Sequence, residues 1–287
     1  MAFGICLSRR QWDLGGASDF CNYLIRSTFS SGVFTIVRPL KWYKSLSESK
    51  CRLDEGYFLL EGKKAIDQIF VKAPQAIEEI LILSENLDSA EKYQRPIRVL
   101  TASQLHLISS VKTPQGIVAL IKIPADSFTD ILPSEIGSRI LLLEHVQDPG
   151  NVGTLIRTAA ALKYSGIIMS NQCSDPFSSK VVQATSGSLF SVWIRKTKDY
   201  LHIVDCLKNK NYKVFTADVH GEPHVDFSTA PNHVLVLGNE GSGLTADMTA
   251  RADVRFSVPI ETSSAESLNV AVCGGIVMFA GLMGAGW

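Results

Sequence analysis

Three short stretches hold polar side chains of types that could do chemistry, each placed directly after an apolar run. The most telling is Val234–Gly243, VLVLGNEGSG, in which four apolar residues rise into Gly238 and a polar loop follows. Gly238 and Gly241 let backbone approach a ligand closely, and Glu240 gives the loop one fixed charge. A surface turn with an incidental acid is the plainer reading of this stretch alone. The upstream stretch, HVQDPGNVGTLIRTAAALKY, follows the apolar run Arg139–Leu143. Asp148-Pro149-Gly150 is turn chemistry, Asn151 suits the N-cap of a helix from Val152 to about Leu162, and Arg157 lies six residues past that cap. In the downstream stretch, VPIETSSAESLNVAVCGGIVMF, Val258-Pro259-Ile260 ends a strand; Ser267 opens the last helix, with Asn269 one turn inside it. Asn151 as a plain cap and Asn269 as a helix-start hydrogen bonder stand beside any catalytic role.

What is missing narrows the chemistry. No G-x-S-x-G elbow exists for a serine hydrolase. Gly150-Asn-Val-Gly153 lacks the full dinucleotide fingerprint, and about twenty residues further on Ser170, Asn171 and Gln172 offer no acid for a ribose. His220 and His224 stand four apart, but Gly221 and Pro223 between them favour a turn over a metal-ligating helix. No metal site is expected.

The elements that must position these residues alternate. Arg139–Leu143, Gly166–Met169, Lys213–Ala217 and Val234–Leu237 read as strands buried on both faces, and Asp199–Lys208 as an amphipathic helix. Alternation of this kind predicts a mostly parallel, three-layer α/β domain over 139–287, with three polar loops converging at the carboxyl ends of its strands. Ahead of it, Tyr57–Leu60, Ile80–Leu83, Arg98–Leu100 and Gly116–Ile123 read as strands, with a helix after Glu61-Gly62 and a helical turn at Ser103–Ser109. That makes a small α/β domain over 41–123. Residues 124–138 read as a linker, and 1–40 as an extension without assigned function.

Composition sets the class. The 287 residues are 46% hydrophobic and 20% charged, enough for two ordinary domains with substantial cores. Net charge is zero, yet residues 1–66 carry ten Lys/Arg against six Asp/Glu, so any basic face lies early in the chain. Six scattered cysteines without a Cys-x-x-Cys pair read as reduced thiols of a cytoplasmic protein. The first thirty residues hold no apolar core of signal-peptide length. Val270–Trp287 is uncharged but carries glycines at 274, 275, 281, 284 and 286 and no basic anchor, which suits a packed helix better than a membrane span.

Together, N-x-G-x-x-x-R-T at Asn151–Thr158, L-G-x-E-G at Leu237–Gly241 and S-L-N-V at Ser267–Val270 resemble the three motifs of the SpoU/TrmH family of SPOUT methyltransferases. The similarity covers about Arg139 to Leu282, and Lys44–Ile123 resembles the ribosomal-protein-like, substrate-binding domain of rRNA-acting members. The resemblance implies an S-adenosylmethionine-dependent ribose 2′-O-methyltransferase of RNA, with large-subunit rRNA as substrate. It further implies a C-terminal trefoil knot and a homodimer with active sites at the interface. Arg157, Asn151, Glu240, Ser267 and Asn269 would carry catalysis; Leu237, Gly238, Gly241, Val258, Ile260 and Leu268 would hold the cofactor. Lys41, Lys44, Lys50, Arg52, Lys63 and Lys64 would contact phosphate. A guanidinium is a poor proton acceptor, so Arg157 suits gripping phosphate and polarising the hydroxyl. One departure is visible: Pro259 to Ser267 is eight steps rather than seven, and the loop Glu261–Glu266 has no glycine. A tRNA 2′-O-methyltransferase, an RNA-binding assembly factor retaining the fold and a nucleotide-dependent oxidoreductase are the competing readings.

Overall fold

The structure is a computed structural model that describes residues 38–261, 263–264 and 266–283. The extension expected over 1–40 and the last two tail glycines therefore lie almost wholly outside the described residues. The described residues from Leu40 onward form one compact unit.

Its first part is a four-stranded sheet of β1 (Tyr57–Glu61), β2 (Ile77–Leu83), β3 (Ile97–Leu100) and β4 (Ile117–Lys122), in the order β1-β4-β2-β3. Helices α1 (Leu40–Ser45), α2 (Ser49–Glu55), α3 (Lys63–Lys72) and α4 (Ala102–Ile108) flank it. Thr101 opens α4 with a reciprocal capping box to Gln104. The apolar runs read from sequence all appear as strands here.

The second part is a six-stranded, wholly parallel sheet, ordered β10-β8-β9-β5-β6-β7. Its strands are β5 (Arg139–Leu143), β6 (Gly166–Ser170), β7 (Trp193–Thr197), β8 (Lys213–Glu222), β9 (His233–Leu237) and β10 (Val254–Phe256). Alternate residues of the central strands feed opposite layers. Leu141, Leu143, Ile167, Leu235 and Leu237 face α5 (Pro149–Ala161), α6 (Ser179–Thr185) and α9 (Val270–Met283). Ile140, Leu142, Val234 and Val236 face α7 (Tyr200–Lys208) and α8 (Ala246–Thr249). That two-sided burial explains why these strands read as unbroken apolar runs.

Strand β7 escapes the sequence reading. Its WIRKT carries Arg195 and Lys196, tolerable because β7 is a sheet edge. There it holds the stretch expected as a linker. The Lys196 N–H donates to the Ser127 carbonyl at 2.8 Å, and Arg195 donates to the Ile131 carbonyl at 2.7 Å and pairs with Asp126.

The two parts are bolted together. Phe58 of β1 packs against Phe177 at a tilt and stacks on Phe190, at centroid distances of 5.4 and 6.5 Å. Arg52, expected to face phosphate, is instead 4% exposed and paired with Asp175 at 2.5 Å, while its Nη1 donates to the carbonyls of Leu46 and Ser47. A guanidinium so engaged is a strut between the parts, not an RNA contact. Lys41, Lys44, Lys50, Lys63 and Lys64 remain exposed.

Candidate active site

The site is built at the carboxyl ends of β5, β9 and β10. After β5 the chain turns into α5, and the cap is Asp148, not Asn151. Asp148 Oδ1 accepts the Asn151 N–H at 2.8 Å, and Pro149 occupies the first helical position, where a missing N–H costs nothing. Asn151 thus sits inside the first turn with its side chain released from capping. Its Nδ2 donates to Glu240 Oε1 at 2.7 Å, and its Oδ1 accepts from Asn269 Nδ2 at 3.0 Å. One amide therefore joins all three polar loops.

The Glu240 loop is closed by its own hydrogen bonds. Asn239 and Gly243 exchange two backbone hydrogen bonds of 3.1 and 3.0 Å, and Asn239 Oδ1 accepts the N–H groups of Gly241 and Ser242, both at 2.9 Å. A Cβ on Gly238 would stand 2.7 Å from the Gly243 backbone, so that position needs glycine. Two consecutive residues after β5 grip the loop at both ends. The His145 carbonyl accepts from Asn239 Nδ2 at 2.9 Å; the fully buried Glu144 accepts from Thr245 N–H and Oγ1 at 2.8 Å each, and from the Tyr200 hydroxyl at 2.5 Å. His145 holds φ +59°, uncommon for a residue with a side chain. Sequence reasoning missed Glu144 and Asn239, although an acid closing the apolar strand RILLL is a readable signal.

Two corrections apply to the third stretch. The strand ends at Phe256, so Val258–Ile260 is loop; Pro259 has no N–H for a ladder. The last helix begins at Val270, not Ser267. Asn269 caps it, its Oδ1 accepting the N–H groups of Ala271 at 2.9 Å and Val272 at 3.3 Å. Val258, Ile260, Ser267 and Leu268 line a cavity of about 430 Å³, together with Asp218 and Cys273. Burial pushes the Asp218 carboxyl up, but hydrogen bonds from the His220 N–H and Arg255 outweigh it and hold the group below its ordinary range. Burial raises the Cys273 thiol, which keeps it protonated. Leu237 lies buried under the loop instead of in this cavity, and Gly238 and Gly241 sit in the loop itself.

Arg157 stands apart. Six helical steps of about 100° leave it roughly 120° around α5 from Asn151. It is exposed, donates to Ser186 Oγ at 3.2 Å and lines a different cavity, of about 680 Å³. No direct hydrogen bond links it to Asn151, Glu240 or Asn269 among the described residues.

Residues 138–279 match the SpoU rRNA Methylase family, and residues 39–119 match the MRM3-like substrate binding domain. The 23S rRNA (guanosine(2553)-2′-O)-methyltransferase RlmP of Bacillus subtilis is 30% identical over 244 residues, covering 84% of this chain and 95% of the relative. The chain belongs to the SpoU rRNA methylase family. Another relative, the 23S rRNA (uridine(2479)-2′-O)-methyltransferase of Streptomyces viridochromogenes, is 29% identical over 80% of this chain and 84% of its own. Among solved structures, the AdoMet-bound rRNA methyltransferase of Sinorhizobium meliloti superposes with a TM-score of 0.70 at 27% identity, covering 85% of this chain and 93% of that one. In this chain the substrate-binding segment precedes the methylase segment. No group of residues able to hold a metal ion occurs among the described residues, and no described helix is long and apolar enough to cross a membrane.

Proposed function

We propose that this protein is an S-adenosylmethionine-dependent methyltransferase that methylates a ribose 2′-hydroxyl of large-subunit rRNA. The observation that carries the reading is the hydrogen-bonded chain Glu240–Asn151–Asn269, which ties the three motif segments into one arrangement. The cavity beside it suits the cofactor. Apolar Val258, Ile260 and Leu268 can sandwich an adenine, Ser267 offers a hydroxyl, and the volume lies within the range of ligand sites. Held there, S-adenosylmethionine would supply an already activated methyl group for the ribose 2′-oxygen.

What the chain contributes is alignment and charge. Arg157 grips the phosphate next to the target ribose and polarises the hydroxyl, a task its planar, permanently charged fork suits. Glu240 and Asn269 fix the Asn151 amide, and Asn151 in turn fixes how α5 presents Arg157. Leu237, Gly238 and Gly241 shape the cofactor side of the Glu240 loop.

The reading includes two features of the assembled molecule. Helix α9 exposes Val272 (53%), Ile276 (43%), Phe279 (55%) and Met283 (64%), spaced four, three and four residues apart on one face, while Gly274, Val277, Met278 and Gly281 are buried on the other. Such a stripe supports a homodimer, and the separation of Arg157 from the cofactor cavity supports active sites completed between two subunits. In addition, β10 lies at the sheet edge, yet α9 returns to pack on α5 and β9, with Gly274 facing Leu155 and Leu237. This crossing supports a trefoil knot. Residues 41–123 act as the substrate-binding domain and 139–287 as the methyltransferase, joined by 124–138, in a cytoplasmic protein.

The test is calorimetric titration with S-adenosylmethionine and with NAD, followed by tritiated-methyl transfer to unmodified rRNA. Arg157→Ala is expected to bind the cofactor normally and to lose about 10²-fold in transfer rate. Absence of S-adenosylmethionine binding by the wild type overturns the reading, and binding without transfer points to an RNA-binding assembly factor.

A further inference from the structure

The second cavity is walled from both parts of the chain. Helix α3 of the first sheet supplies Gln68 and Lys72, α5 supplies Arg157, and the turn after α6 supplies Ser186 and Ser188. The walls are held close. Gly187, at φ +89°, lies so near α3 that a Cβ on it would come within 3.0 Å of the Ala65 backbone and 2.4 Å of Gln68 Oε1. The cavity measures about 680 Å³, within the usual range of ligand sites.

Its charge is set by two cations. Asp67 also borders it, but that carboxylate is held by Lys63 at 2.9 Å, by Tyr93 at 2.6 Å and by Lys92. Burial pushes Asp67 up, and these three donors outweigh it to hold the group at about 2. Arg157 and Lys72 make no ion pair among the described residues, so the cavity presents net positive charge beside serine hydroxyls. Gln68 is exposed there, and its amide makes no side-chain hydrogen bond among the described residues. An amide of this kind can donate and accept at once, matching a base edge, while the cations match a phosphodiester.

We infer that this cavity seats one nucleotide of the unpaired substrate RNA strand, its phosphate held by Arg157 and Lys72 and its base edge read by Gln68. The first part of the chain then forms one wall of the reactive region and contributes to sequence choice, rather than serving as a remote anchor. Bases of single strands are free to be bonded along such edges. The inference rests on the proposed RNA methyltransferase activity, and its test separates the two.

The dissociation constant of an unmodified 23S rRNA transcript is measured for wild type, Lys72→Glu and Gln68→Ala, alongside S-adenosylmethionine affinity and methyl-transfer kinetics. Lys72→Glu is expected to weaken transcript binding at least tenfold and to lower the salt slope by about one. Gln68→Ala is expected to weaken it at least fivefold, to raise KM rather than lower kcat, and to narrow the preference among transcripts altered next to the target. Cofactor affinity stays within twofold of wild type in both. Transcript binding within twofold of wild type for both variants overturns the inference. A wild type that binds the transcript but transfers no methyl defeats the activity alone, since the binding comparison still decides the cavity.

Discussion

Asn151 shows how much one side chain can organise once the backbone relieves it of another task. Asp148 takes the capping bond, and the freed amide donates to Glu240 while accepting from Asn269. Asn151→Asp keeps size and helix position but removes the donor and sets a second carboxylate against Glu240, a like-charge contact. Methyl transfer is expected to fall at least tenfold at neutral pH, with thermal stability little changed, as read by initial rates and calorimetry. His233 carries a different consequence. It is buried, with Nδ1 bonded to the Ala230 carbonyl at 3.0 Å and Nε2 against the Tyr164 hydroxyl at 3.3 Å. Burial, above all, holds its pKa below the ordinary 6.5. The unfolded chain therefore binds the proton more readily than the native one. Stability from this group is complete above about pH 6.5 and declines as pH falls from there toward the depressed native value. Urea midpoints at pH 7.5 and 5.5 should show the loss, and His233→Leu should flatten it.

At the scale of elements, the packing of α5 on α6 depends on a glycine inside a motif. A Cβ on Gly153 would meet Ala184 Cβ at 2.5 Å and the Val181 carbonyl at 2.6 Å, neither of which can swing aside. Gly153→Ala must push α6 away from α5, and with it the turn bearing Ser186, the partner of Arg157. Overpacking of this kind costs about 1–3 kcal/mol, visible as a Tm lowered by several degrees. Methyl transfer should fall along with it, and cofactor affinity should not. Much of the element plan was legible, because buried strands and amphipathic helices declare their period. Strand β7 was not, because an edge tolerates Arg195 and Lys196 where a central strand would not.

For the whole molecule, the exposed apolar stripe of α9 is where the proposed dimer is tested. Phe279→Asp places a charge in the centre of its exposed apolar stripe while leaving the buried face of Gly274, Val277 and Met278 intact. The variant is expected to sediment as a monomer where the wild type sediments as a dimer, and to lose methyl transfer. A wild type that sediments as a monomer at micromolar concentration removes the dimer from the proposal. The contacts of Phe58 with Phe177 and of Arg52 with Asp175 join the two sheets of this chain.

By itself the sequence determined the parallel α/β plan, the three polar loops and the family they belong to. Those features rest on local period, turn chemistry and spacing, all of which are properties of neighbouring residues. Tertiary structure alone decided which side chains meet. It made Asp148 rather than Asn151 the cap, turned Arg52 from a phosphate contact into a buried strut, and brought Asn151, Glu240 and Asn269 together across 118 positions of chain. It also set Arg157 beside helix α3 instead of among its fellow motif residues. The reason is geometric: rotation about a helix and the order of strands in a sheet are fixed by packing over long separations, which no local window of sequence records.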